Sequence, residues 1–123
     1  GENDAETSDI IEEAEGELAV DVYQNSVAFI IETTIAGVNP EDIDVSISPD
    51  SVTIKGKREK EEKIKAENYI HQECYWGKFS RTIILPQEID PDKAQANIKN
   101  GVLKITLPKI NKNKTKKVKV KFE

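Results

Sequence analysis

Short segments in which apolar and polar residues alternate are the feature that most limits how this chain can fold. Ile43, Val45 and Ile47 alternate with Asp44 and Ser46, a pattern typical of a strand with one buried and one wet face. Comparable strand-like segments, too short to favour a helix, lie at 18–22, 27–35, 52–55, 69–76, 79–85, 94–98 and 102–107. Turn residues separate them, which predicts an all-β sandwich or barrel.

Two connections between these segments are informative. Asn100-Gly101 predicts a tight hairpin, because both central residues of such a turn need positive φ. Residues 57–68 form a long Lys- and Glu-rich interruption with Ile64 as its one large apolar residue. This segment is either a solvated loop or a functional one, since long loops are unusual in a compact sandwich. Residues 69–76 fit the core poorly, which suggests a strand donated to another chain, as in domain swapping.

Charge divides the chain into three parts. Its 123 residues are 37% hydrophobic and 33% charged, enough for one domain with a modest core. Residues 1–17 carry eight acids and no base, whereas residues 109–123 carry seven lysines and one acid. We expect a disordered acidic segment at 1–17, a β domain at 18–109 and a lysine-rich tail at 110–123. The chain begins at Gly1 and has no methionine, so we expect an additional native N-terminal segment.

Several classes of function are disfavoured. The net charge of −5 argues against a nucleic-acid-binding domain, and no apolar run is long enough for a membrane span. The single cysteine, Cys74, fits a reducing compartment, so we expect a cytoplasmic protein. His71 and Cys74 would point to opposite faces of one strand, and no phosphate-binding glycine motif is present. The acidic pairs fall in loops. We therefore expect no enzyme activity, no metal and no cofactor.

The tail allows three interpretations. Val118-Lys119-Val120 could add as a strand to an exposed sheet edge, with pockets for the two valines. The tail could instead only keep the protein in solution. Its lysines could also bind phosphates, although no aromatic residues are interleaved with them for base stacking.

Four motifs in order resemble one family. Residues 96–103, ANIKNGVL, followed by KITLPK, closely resemble the A-x-x-x-n-G-V-L hallmark of the small heat shock proteins. Residues 77–86, GKFSRTIILP, look like their G-x-F-x-R…L-P strand. Residues 20–23, VDVY, and 35–38, IAGV, match the opening strands, with Ala36 where proline is common. The resemblance covers about residues 18–109, the α-crystallin domain, and includes the hairpin motif Gly101, Val102 and Leu103.

This resemblance implies an immunoglobulin-like β-sandwich and an ATP-independent holdase that binds partly unfolded proteins under stress. It implies a homodimer in which a strand of the long loop is exchanged, and larger homo-oligomers built from it. The implied dimer interface consists of Tyr69, Ile70, His71, Tyr75, Trp76 and Arg81, where Arg81 would meet acids of the partner. A simple exposed charge is the alternative for Arg81.

The resemblance also implies a groove that receives the tail or clients. Its residues would be Ile43, Val45, Ile47, Ala94, Ala96 and Ile98, although these could instead only pack the two sheets together. Val118 and Val120 occupy the place of the family's C-terminal I-x-I anchor. Each valine lacks one methylene of isoleucine, worth about 0.8 kcal/mol if buried, so we expect weaker docking. Residues 1–17 contain no aromatic residue. If they are the native arm, we expect reduced client capacity and assembly size; if they are a remnant, the missing segment carries those roles.

Two other functions are alternatives to the holdase. An adaptor of the same fold could dock on another chaperone, but such cochaperone modules generally lack the G-V-L hairpin and the long exchange loop. Nucleic-acid binding through the lysine tail is the third possibility, which steep salt dependence would support.

Overall fold

The computed structural model describes residues 15–110 and 116–123. In these residues eight strands form: β1 (Glu15–Glu17), β2 (Asp21–Gln24), β3 (Ala28–Thr34), β4 (Ile43–Ile47), β5 (Ser51–Arg58), β6 (Gly77–Ile84), β7 (Gln95–Lys99) and β8 (Val102–Pro108). Short 3-10 helices lie at Pro40–Asp42, Ala66–Asn68 and Pro91–Lys93. Within the same residues, no helix is long and apolar enough to cross a membrane.

The strands form two four-stranded sheets. One has the order β1-β6-β5-β4 and the other has the order β2-β3-β8-β7. All neighbouring strands are antiparallel except β1, which runs parallel to β6. The predicted all-β sandwich is therefore confirmed.

A single apolar core lies between the sheets. Ile54 on β5 and Ile105 on β8 are fully buried, and alternate residues along these strands point the same way because side chains alternate across a strand. The buried cluster consists of Leu18, Phe29, Ile31, Ile35, Val52, Ile54, Phe79, Leu85, Ile89, Leu103, Ile105 and Leu107. The period-two alternation in the sequence thus separates core residues from the outer faces of both sheets.

The hairpin at Asn100-Gly101 forms as predicted. Asn100 has a φ of 53° and Gly101 a φ of 74°, both in the left-handed region. The Gly101 carbonyl accepts a hydrogen bond from the backbone N–H of Ile35 at 2.7 Å. The hairpin therefore holds the end of β3 as well as joining β7 to β8.

The N-terminal boundary differs from our expectation. Residues 15–17, assigned to the disordered segment, form β1, and residues 1–14 lie outside the described residues. The Tyr75 hydroxyl accepts a hydrogen bond from the Gly16 N–H at 2.9 Å and donates one to the Lys78 carbonyl. Contacts with residues far along the chain thus hold β1, which composition alone does not reveal.

The exchange segment has no strand within this chain. Residues 69–76, predicted as a strand for another chain, contain no regular secondary structure, and β5 continues through Arg58 into the predicted loop. A strand that pairs only with a partner's sheet has no hydrogen-bonding neighbour in a single chain. The exchange therefore stays a prediction.

Candidate functional site

The topology places β4 and β7 at the same side of the sandwich. Residues 18–20 join β1 to β2, so these edge strands of the two sheets lie at one side. In the described part of the chain, β4 and β7 are the opposite edges of their sheets. The two strands of the predicted groove therefore flank one open side of the molecule.

Loop contacts fix which ends of β4 and β7 face each other. A Cβ on Gly37, which follows β3, would lie 3.9 Å from Cδ of Arg58 at the end of β5. That end of β5 pairs with the start of β4, and the hairpin also contacts the end of β3. The start of β4 therefore lies at the hairpin end of β7. At the other end, the Ile89 N–H donates to the Pro49 carbonyl at 2.8 Å.

The three apolar residues of β4 point into the sandwich. Val45 lies opposite Ile54 and Ile47 lies opposite Val52, and directly paired residues share a face. Ile43, Val45 and Ile47 are half-buried and pack against the core. Both interpretations from the sequence therefore have support: these side chains pack on the core and also leave an open apolar flank.

The apolar residues of β7 face inward but remain exposed. Ala96 lies opposite Ile105 and Ile98 opposite Leu103, so both share the core face of their sheet. Even so, Ala96 is exposed and Ile98 is 40% exposed, whereas Ala94 is half-buried against the core. The apolar residues of β4 and β7 therefore both face the open side between the two sheets, and a single groove formed by the two strands stays a prediction.

Charged residues of both signs border β4 and β7. The exposed Asp44 of β4 shares a face with the exposed Lys55, its direct partner on β5. Lys104, next to β7, likewise shares a face with Glu32 on β3, and the exposed Lys93 adjoins the exposed Asp92. Neither edge therefore carries charge of one sign.

Arg81 lies at the other side of the molecule. Its guanidinium donates to the Leu18 carbonyl at 3.1 Å and lies 3.2 Å from a Glu17 carboxylate oxygen. Arg81 pairs with Ile54 across β5 and β6, so it points inward at the β1 edge. Within one chain, Arg81 thus holds the connection between β1 and β2, and its contact with a partner stays a prediction.

The other predicted interface residues are grouped in residues 69–76. Tyr69 is half-buried, and its hydroxyl accepts from the Lys60 amine at 2.7 Å. Ile70, His71, Tyr75 and Trp76 are exposed. Tyr69 and Trp76 both line a cavity against the charged loop. Most of the predicted interface residues are thus exposed, and their contact with a partner stays a prediction.

His71 and Cys74 are both exposed. Our argument that they face opposite sides of one strand does not apply, because residues 69–76 form no strand here. Within residues 15–110 and 116–123, no three His, Cys, Asp or Glu side chains are grouped to hold a metal ion.

The tail anchors lie in an extended segment without regular structure. Val118 is 75% exposed, and Val120 and Phe122 are fully exposed. Phe122 continues the two-residue spacing of Val118 and Val120. That spacing is the signal by which Phe122 could have been found.

A tyrosine on the β2 edge has a perturbed ionisation. The Tyr23 hydroxyl donates a hydrogen bond to the Glu32 carboxylate on β3. This hydrogen bond, followed by desolvation, raises the pKa of Tyr23 above its ordinary value. No sequence pattern singles out this pair, which is brought together only when β2 and β3 align.

Comparison with known proteins identifies relatives of this fold. The model of the Hsp20/alpha crystallin family matches residues 15–121. The chain is 39% identical over 101 residues to small heat shock protein C2 of Rickettsia felis, covering 82% of this chain and 66% of that protein. It is 38% identical over 106 residues to heat shock protein 16 of Schizosaccharomyces pombe, covering 83% and 74%.

Solved structures agree with this fold. Heat shock protein 16.0 from Schizosaccharomyces pombe matches with a TM-score of 0.71 and 34% identity, covering 87% of this chain and all of that chain. A small heat-shock protein from Xylella fastidiosa, described as having a distinct high order structure, matches with a TM-score of 0.72 and 28% identity, covering 85% and 96%. The chain spans less than two thirds of the length of several curated relatives, for example 61% and 60%. By its motifs, its sandwich and these matches, the chain belongs to the Hsp20/alpha crystallin family.

Proposed function

We propose that this protein is an ATP-independent holdase that binds partly unfolded proteins in the groove between β4 and β7. The observation that carries the proposal is the pair Ala96 and Ile98, which face the core side of their sheet but remain exposed. Inward-facing apolar residues without a cover are suited to an extended apolar segment. Partly unfolded proteins expose such segments, and covering them blocks their self-association.

Energetics indicate that one groove binds weakly. Burying one Val or Ile side chain is worth about 1.5 to 3 kcal/mol. Two anchors therefore supply roughly 3 to 6 kcal/mol before ordering costs, which corresponds to a Kd no tighter than tens of micromolar. Weak, reversible binding needs no nucleotide or other cofactor. Effective retention of a client then requires several grooves in one assembly.

The dimer is proposed to form by strand exchange. Residues 69–76 of one chain would add to the outer edge of β2 in the partner, where Val22 and Tyr23 are exposed. Backbone hydrogen bonds to that edge would convert the irregular segment into a strand. Arg81 would then meet acids of the partner instead of, or in addition to, Glu17.

Larger assemblies are proposed to form through the tail. Val118 and Val120 would dock in the β4–β7 groove, where the tail and clients would compete for the same residues. The protein would act in the cytoplasm, without binding nucleic acid or membrane. The tail lysines have no interleaved series of aromatic residues on which bases could stack, which argues against nucleic-acid binding.

Aggregation of a heat-labile client protein, followed by light scattering without nucleotide, tests the proposal. We expect suppression at a near-stoichiometric ratio of this chain. Ile98→Lys should abolish most of the suppression because it places a charge in the groove. Ile84→Lys is the matched control, because Ile84 is a 73% exposed strand residue outside the groove.

The outcomes separate the alternatives. Equal loss of suppression in both variants would show that clients bind outside the groove. If the unaltered chain suppresses nothing, the holdase proposal fails for this chain. An adaptor would then be the remaining function, and a pull-down with a folded ATP-driven chaperone would test it.

A further inference from the structure

We propose that residues 8–14 of this chain dock in the cavity between the end of β5 and the charged loop, residues 59–68. In this arrangement Glu12 lies on Arg58, and Ile10 lies on the apolar wall of the cavity. The inference goes beyond the holdase function and does not depend on it, because it concerns a different surface of the molecule.

The cavity lies beyond the end of the β5–β6 pair, where Arg58 is the partner of Gly77. Its volume is about 680 Å³. Ile64 and Trp76 line it and remain 41% and 40% exposed, and the half-buried Tyr69 lies between them in the lining. The cavity therefore offers an apolar wall that a short segment of chain could cover.

Arg58 is the residue of this cavity that most needs an occupant. Its Nε atom is buried and has no hydrogen-bond partner among residues 15–110 and 116–123. A buried donor of a charged group destabilises a protein when it is unpaired, and a carboxylate is the acceptor that suits a guanidinium best. Arg58 also lines a second cavity, of about 270 Å³, together with Gly16 and Tyr75. Its side chain therefore lies between β1 and the loop cavity.

The direction of β1 leads the preceding residues toward this cavity. β1 runs parallel to β6, with Gly16 beside Phe79, so the chain before β1 runs toward Gly77 and the end of the β5–β6 pair. The seven residues 8–14 span roughly 23 Å when extended. β5 lies two strands from β1, a distance of about 10 Å. The segment can therefore reach the cavity of its own chain.

Charge favours this segment as the occupant. The cavity lining includes three cations and two acids, and one of the acids, Glu59, is already paired with Lys57 at 2.9 Å. The Lys60 amine donates to the Tyr69 hydroxyl, but an ammonium has further donors. Residues 8–14 carry three acids and no base, so opposite charges meet when the segment enters. The lysine-rich tail would instead add to the positive charge.

Alternation assigns the contacts within the segment. Side chains alternate along an extended chain, so Ile10 and Glu12 share the face of Gly16, which lies beside a buried residue of β6. Arg58 lies on the inward face of β5, at even spacing from the fully buried Ile54. The segment therefore presents Glu12 to Arg58, and Ile10, farther from β1, to the apolar wall.

A docked segment would restrain the charged loop. Since this loop leads into residues 69–76, docking would also slow the transfer of those residues to a partner. That consequence rests on the proposed strand exchange, whereas the docking itself does not.

NMR of the whole chain labelled with 15N-arginine tests the contact with Arg58. The sequence contains only two arginines, Arg58 and Arg81, so Arg58→Lys identifies the Nε–H signal. Glu12→Gln should shift that signal and speed its hydrogen exchange by roughly twofold to fivefold, the range expected for a partly exposed ion pair. Glu13→Gln is the matched control, because Glu13 lies on the opposite face of the segment, and it should change little.

The pattern of shifts decides the assignment. A shift in Glu13→Gln without one in Glu12→Gln would overturn the proposed face of the segment. An Arg58 signal that neither variant changes would overturn the docking.

Mixed-isotope crosslinking tests the occupant and its origin. Equal amounts of 15N-labelled and unlabelled chains are mixed, with a photo-crosslinking amino acid in place of Ile10. Crosslinks to residues 58–69 within single chains support the proposal. Crosslinks that join a heavy and a light chain would assign the cavity to the segment of another copy, and crosslinks outside residues 58–69 would overturn the site.

Subunit mixing, followed by mass spectrometry of the same heavy and light chains, tests the restraint separately. Glu12→Gln should mix faster than the unaltered chain. If this variant changes the Arg58 signal but not the rate of mixing, the docking stands and the restraint on strand exchange is wrong.

Discussion

Gly101 shows how one residue can determine a turn. Its φ of 74° lies in the region that side-chain-bearing residues adopt at a cost. Space does not limit this position, because an added Cβ would lie 3.5 Å from the Ala36 Cβ, an ordinary contact. The requirement for glycine therefore comes from the backbone.

Substitution of Gly101 distinguishes the backbone requirement from a requirement for space. Gly101→Ala should lower the free energy of unfolding by about 1 kcal/mol, which is the cost of a left-handed conformation. Urea denaturation measures the change, and Lys99→Ala in the same hairpin is the control. Equal stability of the two variants would contradict the backbone argument.

The ionisation of the Tyr23 phenol is a second property that depends on single residues. Its hydrogen bond to Glu32 stabilises the protonated phenol and raises its pKa. The associated stability is complete below the ordinary pKa of 10.0 and is lost as the pH rises through the raised value. Glu32→Gln should lower the pKa of Tyr23 toward its ordinary value. Absorbance of tyrosinate measures this change, with Tyr23→Phe to identify the signal; an unchanged titration would contradict it.

At the scale of elements, β1 depends on a close approach. A Cβ on Gly16 would lie 2.9 Å from Cε2 of the Tyr75 ring, closer than such atoms approach. The same ring reaches Gly16 through its hydroxyl. The strand and the exchange segment are therefore physically joined within one chain.

Gly16→Ala should release β1 from β6. Hydrogen exchange at the amides of residues 16 and 17 should become faster, since the methyl group displaces the Tyr75 ring. Tyr75→Phe, which removes only the hydroxyl, should produce a smaller change confined to Gly16. Unchanged exchange in Gly16→Ala would mean that the ring moves aside without cost to β1.

The elements differ in how far sequence could predict them. Alternation identified β4 and β8, and the Asn-Gly pair identified the hairpin, because local patterns determine these features. β1 was missed because it is acidic and pairs with residues about sixty positions away. The groove residues were named through family resemblance, but their exposure depends on which strands lie at sheet edges. That property belongs to the topology and cannot be read from alternation.

At the scale of the whole molecule, the exchange segment carries a natural reporter. Trp76 is the only tryptophan of the chain and is 40% exposed here. The proposed strand exchange would place residues 69–76 against a partner and reduce this exposure.

Dilution should therefore shift the Trp76 emission to longer wavelength as dimers dissociate. Ile70→Lys, at a 92% exposed position, should produce the same shift at higher protein concentration if Ile70 lies in the interface. Light-scattering chromatography gives the mass in parallel. A fall in mass without any change in emission would place the dimer interface elsewhere.

The separate positions of the groove and the exchange segment have a geometric consequence. Strand exchange is isologous: each partner gives and receives the same segment, so the contact closes with two copies. A tail seated in a neighbour's groove is heterologous, because it joins two different surfaces and leaves one of each unused at the ends of a chain of subunits. Such a contact does not itself set the number of copies. The size of a finite particle would then depend on the angles at which dimers meet, and those angles would decide between rings, shells and open chains.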